Sequence, residues 1–223
     1  MDKQNKHKSI CRQRKEREKQ QRIQSILDAA RTVFASKGYL KSTMDEIAMA
    51  AEITKPTIYL YFKSKDDLIL SLILPLIAEI RVHLKKLEKD MSAGKIQDGR
   101  DLVLGIFHAY YNAYESSPET FRVLQLFQQK DLLGDFKPEI RSILDEKGRN
   151  NVILCRSMLT QGMEMGLLKK VNVFALADII WGLVVGVIQL EDCKNDEENG
   201  HKLKIGTLGL AQQLITEALT RLE

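Results

Sequence analysis

Apolar residues recur along this chain at intervals of three and four rather than two, and that spacing predicts helices from one end to the other. From Arg22 onward, Ile23, Ile26, Leu27, Ala30, Val33 and Phe34 form one face of an amphipathic helix. Gly38 follows where its end needs a left-handed residue. Thr43-Met-Asp-Glu46 is a Thr-x-x-Glu capping box ahead of Ile47 and Ala48, so a short second helix starts there and is interrupted at Glu52-Ile53. Thr54 can cap a third helix to about Tyr61, with Pro56 in the first turn, where its missing N–H does no harm. Ser64-Lys-Asp-Asp67 is another box and opens a long fourth helix carrying Leu68, Ile69, Leu72, Ile73, Leu76, Ile77, Ile80, Leu84 and Leu87. Pro75 should kink it, because the bond to Ser71 is lost. Helical spacing then continues over roughly 101–115, 118–130, 137–165, 173–190 and 202–221, with a polar surface loop over 191–202. No strand alternation competes, and the fold class is all-α.

Charge adds the first functional information. Up to Lys65 there are fifteen Lys or Arg against seven Asp or Glu, and the remaining chain has nineteen against twenty-three, so a basic end is joined to a mildly acidic body. Such polarity points to a polyanion at one end. Residues 1–21 hold eight Lys or Arg and scarcely an apolar side chain, which predicts a flexible basic arm with no core of its own. The arm is either a solvated tail or a DNA-contacting element.

Other chemistry is excluded by spacing. Cys11, Cys155 and Cys193 are odd in number and far apart, and His7, His83, His108 and His201 are scattered, so no disulfide framework, metal site or cofactor is expected. No glycine-rich phosphate loop, HExxH or Ser/His/Asp grouping stands out, and an enzyme is not expected. The run VFALADIIWGLVVGVIQL over 173–190 is long enough to span a bilayer, but Asp178 near its middle has no second span to pair with. A buried helix and a cytoplasmic, membrane-independent protein are the expectation.

The short second and third helices have what a helix-turn-helix needs: small residues where the helices touch (Ala48, Ala51), apolar anchors (Ile47, Ile53, Ile58) and a tight turn. The exposed side of the third helix would present Lys55, Thr57, Tyr59 and Tyr61 to phosphates or base edges. Thr43-x-x-x-Ile47-Ala48 followed by Thr54-Lys-Pro-Thr-Ile-Tyr-Leu-Tyr-Phe-Lys-Ser-Lys65 resembles the DNA-binding signature of the tetracycline-repressor (TetR) family over about residues 22–70. That resemblance implies a domain 22–70 that binds double-stranded DNA and a domain 71–223 for ligand binding and dimerisation. It also implies Thr43 near a phosphate, Thr54 at the start of the reading helix, and Lys55, Pro56 and Thr57 at its base-reading end. Tyr59 and Tyr61 would lie on the DNA backbone and Lys65 on a further phosphate. Glu52 stands where the family usually has glycine in the turn.

Two-fold operators call for a homodimer, and the best self-complementary face is on 173–190, where Ile179, Trp181, Gly182, Val185 and Gly186 allow close helix approach. The resemblance implies a four-helix dimer bundle, which would pair about 137–165 with 173–190. Phe107, Tyr110, Tyr111, Tyr114, Phe121 and Phe127 are either core or the lining of the effector pocket that the family encloses there. Apolar walls with tyrosine hydroxyls suggest a small amphipathic organic effector. The reading is a dimeric repressor released from a palindromic operator by that effector. An activator of the same kind, a helical interaction module with non-specific nucleic-acid binding, and a thiol redox sensor using Cys155 or Cys193 are the alternatives.

Overall fold

The computed structural model describes residues 3–126, 137–193 and 200–220, and among these it has nine helices and no strand. The helices are α1 (Lys3–Lys41), α2 (Met44–Ala50), α3 (Lys55–Tyr61), α4 (Lys65–Ser92), α5 (Gly99–Ser116), α6 (Pro118–Leu126), α7 (Pro138–Glu164), α8 (Val173–Cys193) and α9 (Gly200–Leu219).

The expected ends of the early helices are in place for local reasons. Gly38 takes φ +75°, ending the main run of α1. At α2 the capping box closes in both directions: the Thr43 N–H donates to Glu46 Oε2 at 3.0 Å and the Glu46 N–H to Thr43 Oγ1 at 3.2 Å. Ser64 accepts from the Asp67 N–H at 3.1 Å, while the Asp67 carboxylate reaches one residue further back to the Lys63 N–H at 3.0 Å. Where a flexible basic arm is expected up to residue 21, the helix is continuous from Lys3. Lys, Arg, Gln and Glu are good helix formers, and pairs one turn apart reinforce them: Arg14 with Glu18 at 2.8 Å and Gln20 with Glu16 at 2.9 Å.

Two apolar cores divide the helices. The first joins Ile26, Ala30 and Phe34 of α1 to Ile47 and Ala48 of α2, Ile58 of α3, and Leu68, Ile69 and Ile73 of α4. It also takes in Ile77, Val123 of α6, and Ile140 and Leu144 of α7, so it does not stop at residue 70. The second gathers Leu76, Ile80 and Leu84 of α4 with α5, the middle of α7, and Ile180, Val184 and Ile188 of α8. α4 therefore belongs to both cores, and it continues as one helix through Pro75, which is exposed. α8 is long and apolar enough to cross a membrane, but it is not the wholly buried helix expected. About a third of its most apolar stretch is inside, and the opposite side is open.

Candidate functional site

α2 and α3 cross where Ala48 and Ala51 leave room, with Ile47 and Ile58 buried beneath them. The turn between them is closed by the Glu52 N–H on the Met49 carbonyl at 3.1 Å and the Ile53 N–H on the Ala48 carbonyl at 2.9 Å. Glu52 makes that turn in the left-handed region, at φ +54°. The position therefore has the backbone shape that glycine tolerates best, and the turn is kept although the residue is glutamate.

Among the described residues, the outward face of α3 carries Lys55, Pro56, Tyr59 and Leu60, while Thr57 and Tyr61 are half-buried. Lys55 Nζ lies 2.8 Å from Asp45 Oδ2 on α2, a hydrogen bond and charge that raise its pKa. An exposed pair of this kind is screened by water and holds weakly, so a phosphate can displace the carboxylate readily. Thr43 is exposed at the start of α2. Thr54 occupies the cap position of α3, but its hydroxyl does not cap. Pro56 offers no N–H and the Thr57 N–H goes to the Thr54 carbonyl at 2.9 Å, so Thr54 Oγ1 meets Thr57 Oγ1 at 2.8 Å instead. Lys65 is put to a different use from the phosphate contact expected of it. Its ammonium donates to the carbonyls of Tyr39 at 2.6 Å, Ser42 at 2.9 Å and Leu40 at 3.4 Å, and lies 4.2 Å from the centroid of the Tyr39 ring. Its three N–H bonds are taken by the end of α1, and burial lowers its pKa.

A cavity of about 300 Å³ lies between α4, α5, α7 and α8. Its apolar walls include Ile77 and Ile80 of α4, Tyr110 of α5, Leu144 and Val152 of α7 and Trp181 of α8, and Asp145, Arg149 and Asp178 contribute the charged part of the lining. Asn151, 5% exposed, also lines it, and its Nδ2 donates to the Ile77 carbonyl at 2.9 Å. Because a carbonyl only accepts, that bond fixes which way the amide is turned. Asn151 Oδ1 is then buried with no hydrogen-bond partner among the described residues.

Among the described aromatic side chains singled out for the pocket, only Tyr110 lines this cavity. Phe107, Tyr114 and Phe121 are buried core, and Tyr111 is half-buried with its pKa pushed up to about 12 by burial and by Glu115. Phe127 lies outside the described residues. Trp181, expected on a dimer face, is turned inward: its ring is 4.9 Å from that of Tyr110 and 5.9 Å from that of Phe121.

A family model described as "Bacterial regulatory proteins, tetR family" matches residues 26–72, the stretch that holds α2, α3 and most of the first core. The chain is 28% identical over 169 residues to the fatty acid metabolism regulator protein of Bacillus subtilis, covering 75% of this chain and 82% of that one. Residues 26–72 therefore form a domain of the tetR-family kind. The protein is a DNA-binding transcriptional regulator of the helix-turn-helix type, and Thr43 to Phe62 lies inside the matched stretch. Two solved structures share its fold. FadR from B. subtilis in complex with stearoyl-CoA superposes with a TM-score of 0.63 at 22% identity, over 87% of this chain and 98% of that one. The ketosteroid transcriptional regulator KstR2 of Mycobacterium tuberculosis does so with a TM-score of 0.71 at 18% identity, over 90% and 96%.

On this regulator the open side of α8 carries Ile179, Gly182 and Leu190, with Gly186 half-buried on the same stripe. Beta carbons at Gly182 and Gly186 would meet nothing within 4 Å. Val185 is half-buried against the second core. α9 packs beside α8 and exposes Leu210 and Leu214. Sequence reasoning missed Leu60, which is 82% exposed on the reading helix, because it sits in an apolar run, Ile58 to Phe62, that reads as core. It also missed Asn151, a polar residue in a helix whose other buried positions are apolar or small.

Proposed function

We propose that this regulator is a homodimeric repressor that holds a palindromic operator and lets go when an amphipathic organic molecule fills the cavity against α4. The observation that carries the reading is that α4 is shared. It starts in the reading head, contributes Leu68 and Ile69 to the first core, and supplies Ile77 and Ile80 to the cavity wall. A ligand between α4 and α7 cannot alter that wall without loading the helix on which the head is built. Taking an operator from about 99% bound to 1% needs a roughly 10⁴-fold preference of effector for the released state, or about 5.5 kcal/mol. Burying on the order of 220 Å² more apolar surface in the released state than in the operator-bound state, at about 25 cal/mol/Å², would supply that much. The cavity has room for such a ligand, being of the size at which ligand sites begin.

A long-chain acyl thioester is the effector class best supported. A relative with 82% of its length covered is a fatty acid metabolism regulator, and a structure of the same fold is a complex with stearoyl-CoA. The apolar wall suits an acyl chain, and the charged positions Asp145, Arg149 and Asp178 suit a polar head. The second copy docks on the open stripe of α8 and on α9, through Ile179, Gly182, Gly186, Leu210 and Leu214, rather than on α7, which is occupied between α4 and α8. Thr43, Lys55, Pro56, Tyr59 and Leu60 meet the DNA, with Thr54, Thr57 and Tyr61 shaping the reading helix behind them. No reaction is catalysed, and the protein works in the cytoplasm, on the chromosome.

The test is footprinting on the DNA flanking its own gene, with and without stearoyl-CoA. A protected palindrome that is released by the thioester is expected, and Lys55→Ala or Tyr59→Ala should abolish protection without altering the far-ultraviolet circular dichroism. Equal binding to all DNA, insensitive to both substitutions, would overturn the proposal.

A further inference from the structure

We propose that the first half of α1 is a second nucleic-acid-binding element, a basic helix that lies along the phosphate backbone beside the half-site gripped by α3. This rests on the DNA-binding reading above and extends it to a surface that lies outside the helix-turn-helix. Residues 9–22 are helical yet have no place in either core. Every residue from 9 to 22 is exposed, and the first fully buried side chain of α1 is Ile26. Counted from Lys3, where the helix begins, twenty residues at 1.5 Å each make a rod about 30 Å long. Over that length the sequence places nine Lys or Arg against two Glu. A helix this charged and unsupported is marginal in water, and a polyanion is the partner that would hold it.

The charges are also arranged. Arg12, Lys15, Lys19 and Arg22 are spaced three and four apart, so they share one stripe of the helix, and the sequence continues the spacing back to Lys8. The two acids flank that stripe, one on either side, and are already engaged, Glu18 by Arg14 at 2.8 Å and Glu16 by Gln20 at 2.9 Å. The stripe positions 12, 15, 19 and 22 are themselves all basic. Continued along the helix, the same stripe becomes Ile26, Ala30 and Val33, the side that α1 turns to the core of the head. The rod leaves the head next to the reading unit: Gln21, Gln24 and Ser25 border a shallow groove whose far side is Ala50, the last residue of α2 before the turn into α3. A duplex seated on α3 therefore passes the root of the rod, and its phosphates match the stripe in sign and in length.

The experiment compares the full chain with a variant carrying Arg12→Gln, Lys15→Gln, Lys19→Gln and Arg22→Gln, on the protected site and on a random duplex, across 50 to 200 mM salt. Glutamine keeps helix propensity and none of the four side chains is in the core, so circular dichroism and melting serve as folding controls. If the rod binds phosphates, the slope of log K against log salt flattens by about 3 to 4 per chain on either DNA. Hydroxyl-radical protection outside the palindrome should also disappear while the palindrome itself stays protected. Unchanged slope and an unchanged footprint overturn the proposal, as does loss of binding to anionic phospholipid vesicles in the variant with its DNA slope intact. Failure of the underlying reading looks different: Lys55→Ala and Tyr59→Ala would then leave DNA binding untouched while the four-glutamine variant loses it.

Discussion

Replacing Glu52 by glycine should stabilise this regulator, and the size of the effect follows from the turn. At φ +54° a residue with a Cβ is held in the left-handed region, at a cost of about 1–2 kcal/mol for non-glycine residues. Glycine removes that cost but adds roughly 0.4–1 kcal/mol of unfolded-chain entropy. The Glu52 side chain is exposed and contributes nothing to the first core, so the balance is a gain of about 0.5–1 kcal/mol. For a chain of this length that corresponds to a rise in Tm of about 1–4 °C, or an equivalent shift of the urea midpoint at unchanged slope. Glu52→Ala is the control. It removes the same carboxylate from beside the DNA but keeps a Cβ, so any gain in operator affinity from lost repulsion should be common to both variants, and the gain in stability should belong to glycine alone. Equal stabilisation by alanine, or a less stable glycine variant, would refute the claim that strain resides in this turn.

Four further outcomes follow from the geometry. Lys65→Gln should lose about 1–3 kcal/mol in urea unfolding, since a charged donor is withdrawn from the Tyr39, Leu40 and Ser42 carbonyls, with no change in the salt slope of DNA binding; a flatter slope at full stability would return Lys65 to the phosphates. Asn151→Leu should leave the protein as stable or more so, by up to about 2 kcal/mol, because a bond worth about 1 kcal/mol is lost while an unpartnered buried oxygen costing about 1–3 kcal/mol disappears; a clear drop in Tm would show that Oδ1 is satisfied. Ile179→Asp should give a monomeric mass by light scattering at micromolar concentration, and a persistent dimer would move the interface elsewhere. Burial pushes the Cys155 thiol up to about 12, so it should resist peroxide and iodoacetamide at pH 8. The stability that its neutral form confers is complete below an unfolded thiol pKa of about 8.5 and declines only as pH rises toward 12, and rapid alkylation in the native state would contradict this.

What could be read from the sequence was what neighbouring residues decide among themselves. The boxes at Thr43/Glu46 and Ser64/Asp67 close over three residues, and Gly38 sits at a helix end, so propensity and capping chemistry were enough. Lys65 could not be placed that way. The carbonyls it serves are 23 to 26 residues away, and only the packing of α1 against α4 brings them under its ammonium. Trp181 failed for another reason. A helix apolar nearly all round has no polar side to orient it, so nothing in the sequence distinguished the inward tryptophan from the outward Ile179 and Gly182. The aromatic cluster of α5 and α6 was found as a cluster, but its rings pack on one another and on Trp181, leaving the cavity to be walled largely by aliphatic side chains of α4 and α7. Basic composition without apolar residues predicted a flexible arm over residues 1–21, whereas helix propensity, with the pairs Arg14–Glu18 and Glu16–Gln20, carries the helix back to Lys3.

The cavity reaches the head by two structural routes. One is α4, whose Ile77 and Ile80 line the cavity while Leu68 and Ile69 anchor the head. The other runs through α6. Trp181 in the cavity wall packs on Phe121, and the neighbouring Thr120 accepts from Arg31 of α1 at 3.0 Å, with Ser117 2.7 Å from the same hydroxyl. Thr120 is 2% exposed, so its bond to Arg31 cannot be traded for water at no cost, and a shift of α6 is transmitted to α1 rather than absorbed. The two routes arrive at different places. α4 enters the head from behind the reading helix, whereas α1 carries the packing face of α2 and, twenty residues earlier, the basic rod. A ligand that displaced only α4 would change how the reading helices are spaced; one that also pressed on Trp181 would tilt the rod with respect to the same duplex. On the proposed mechanism base reading and backbone attraction would then weaken together, and neither route would have to supply the whole of the roughly 5.5 kcal/mol alone.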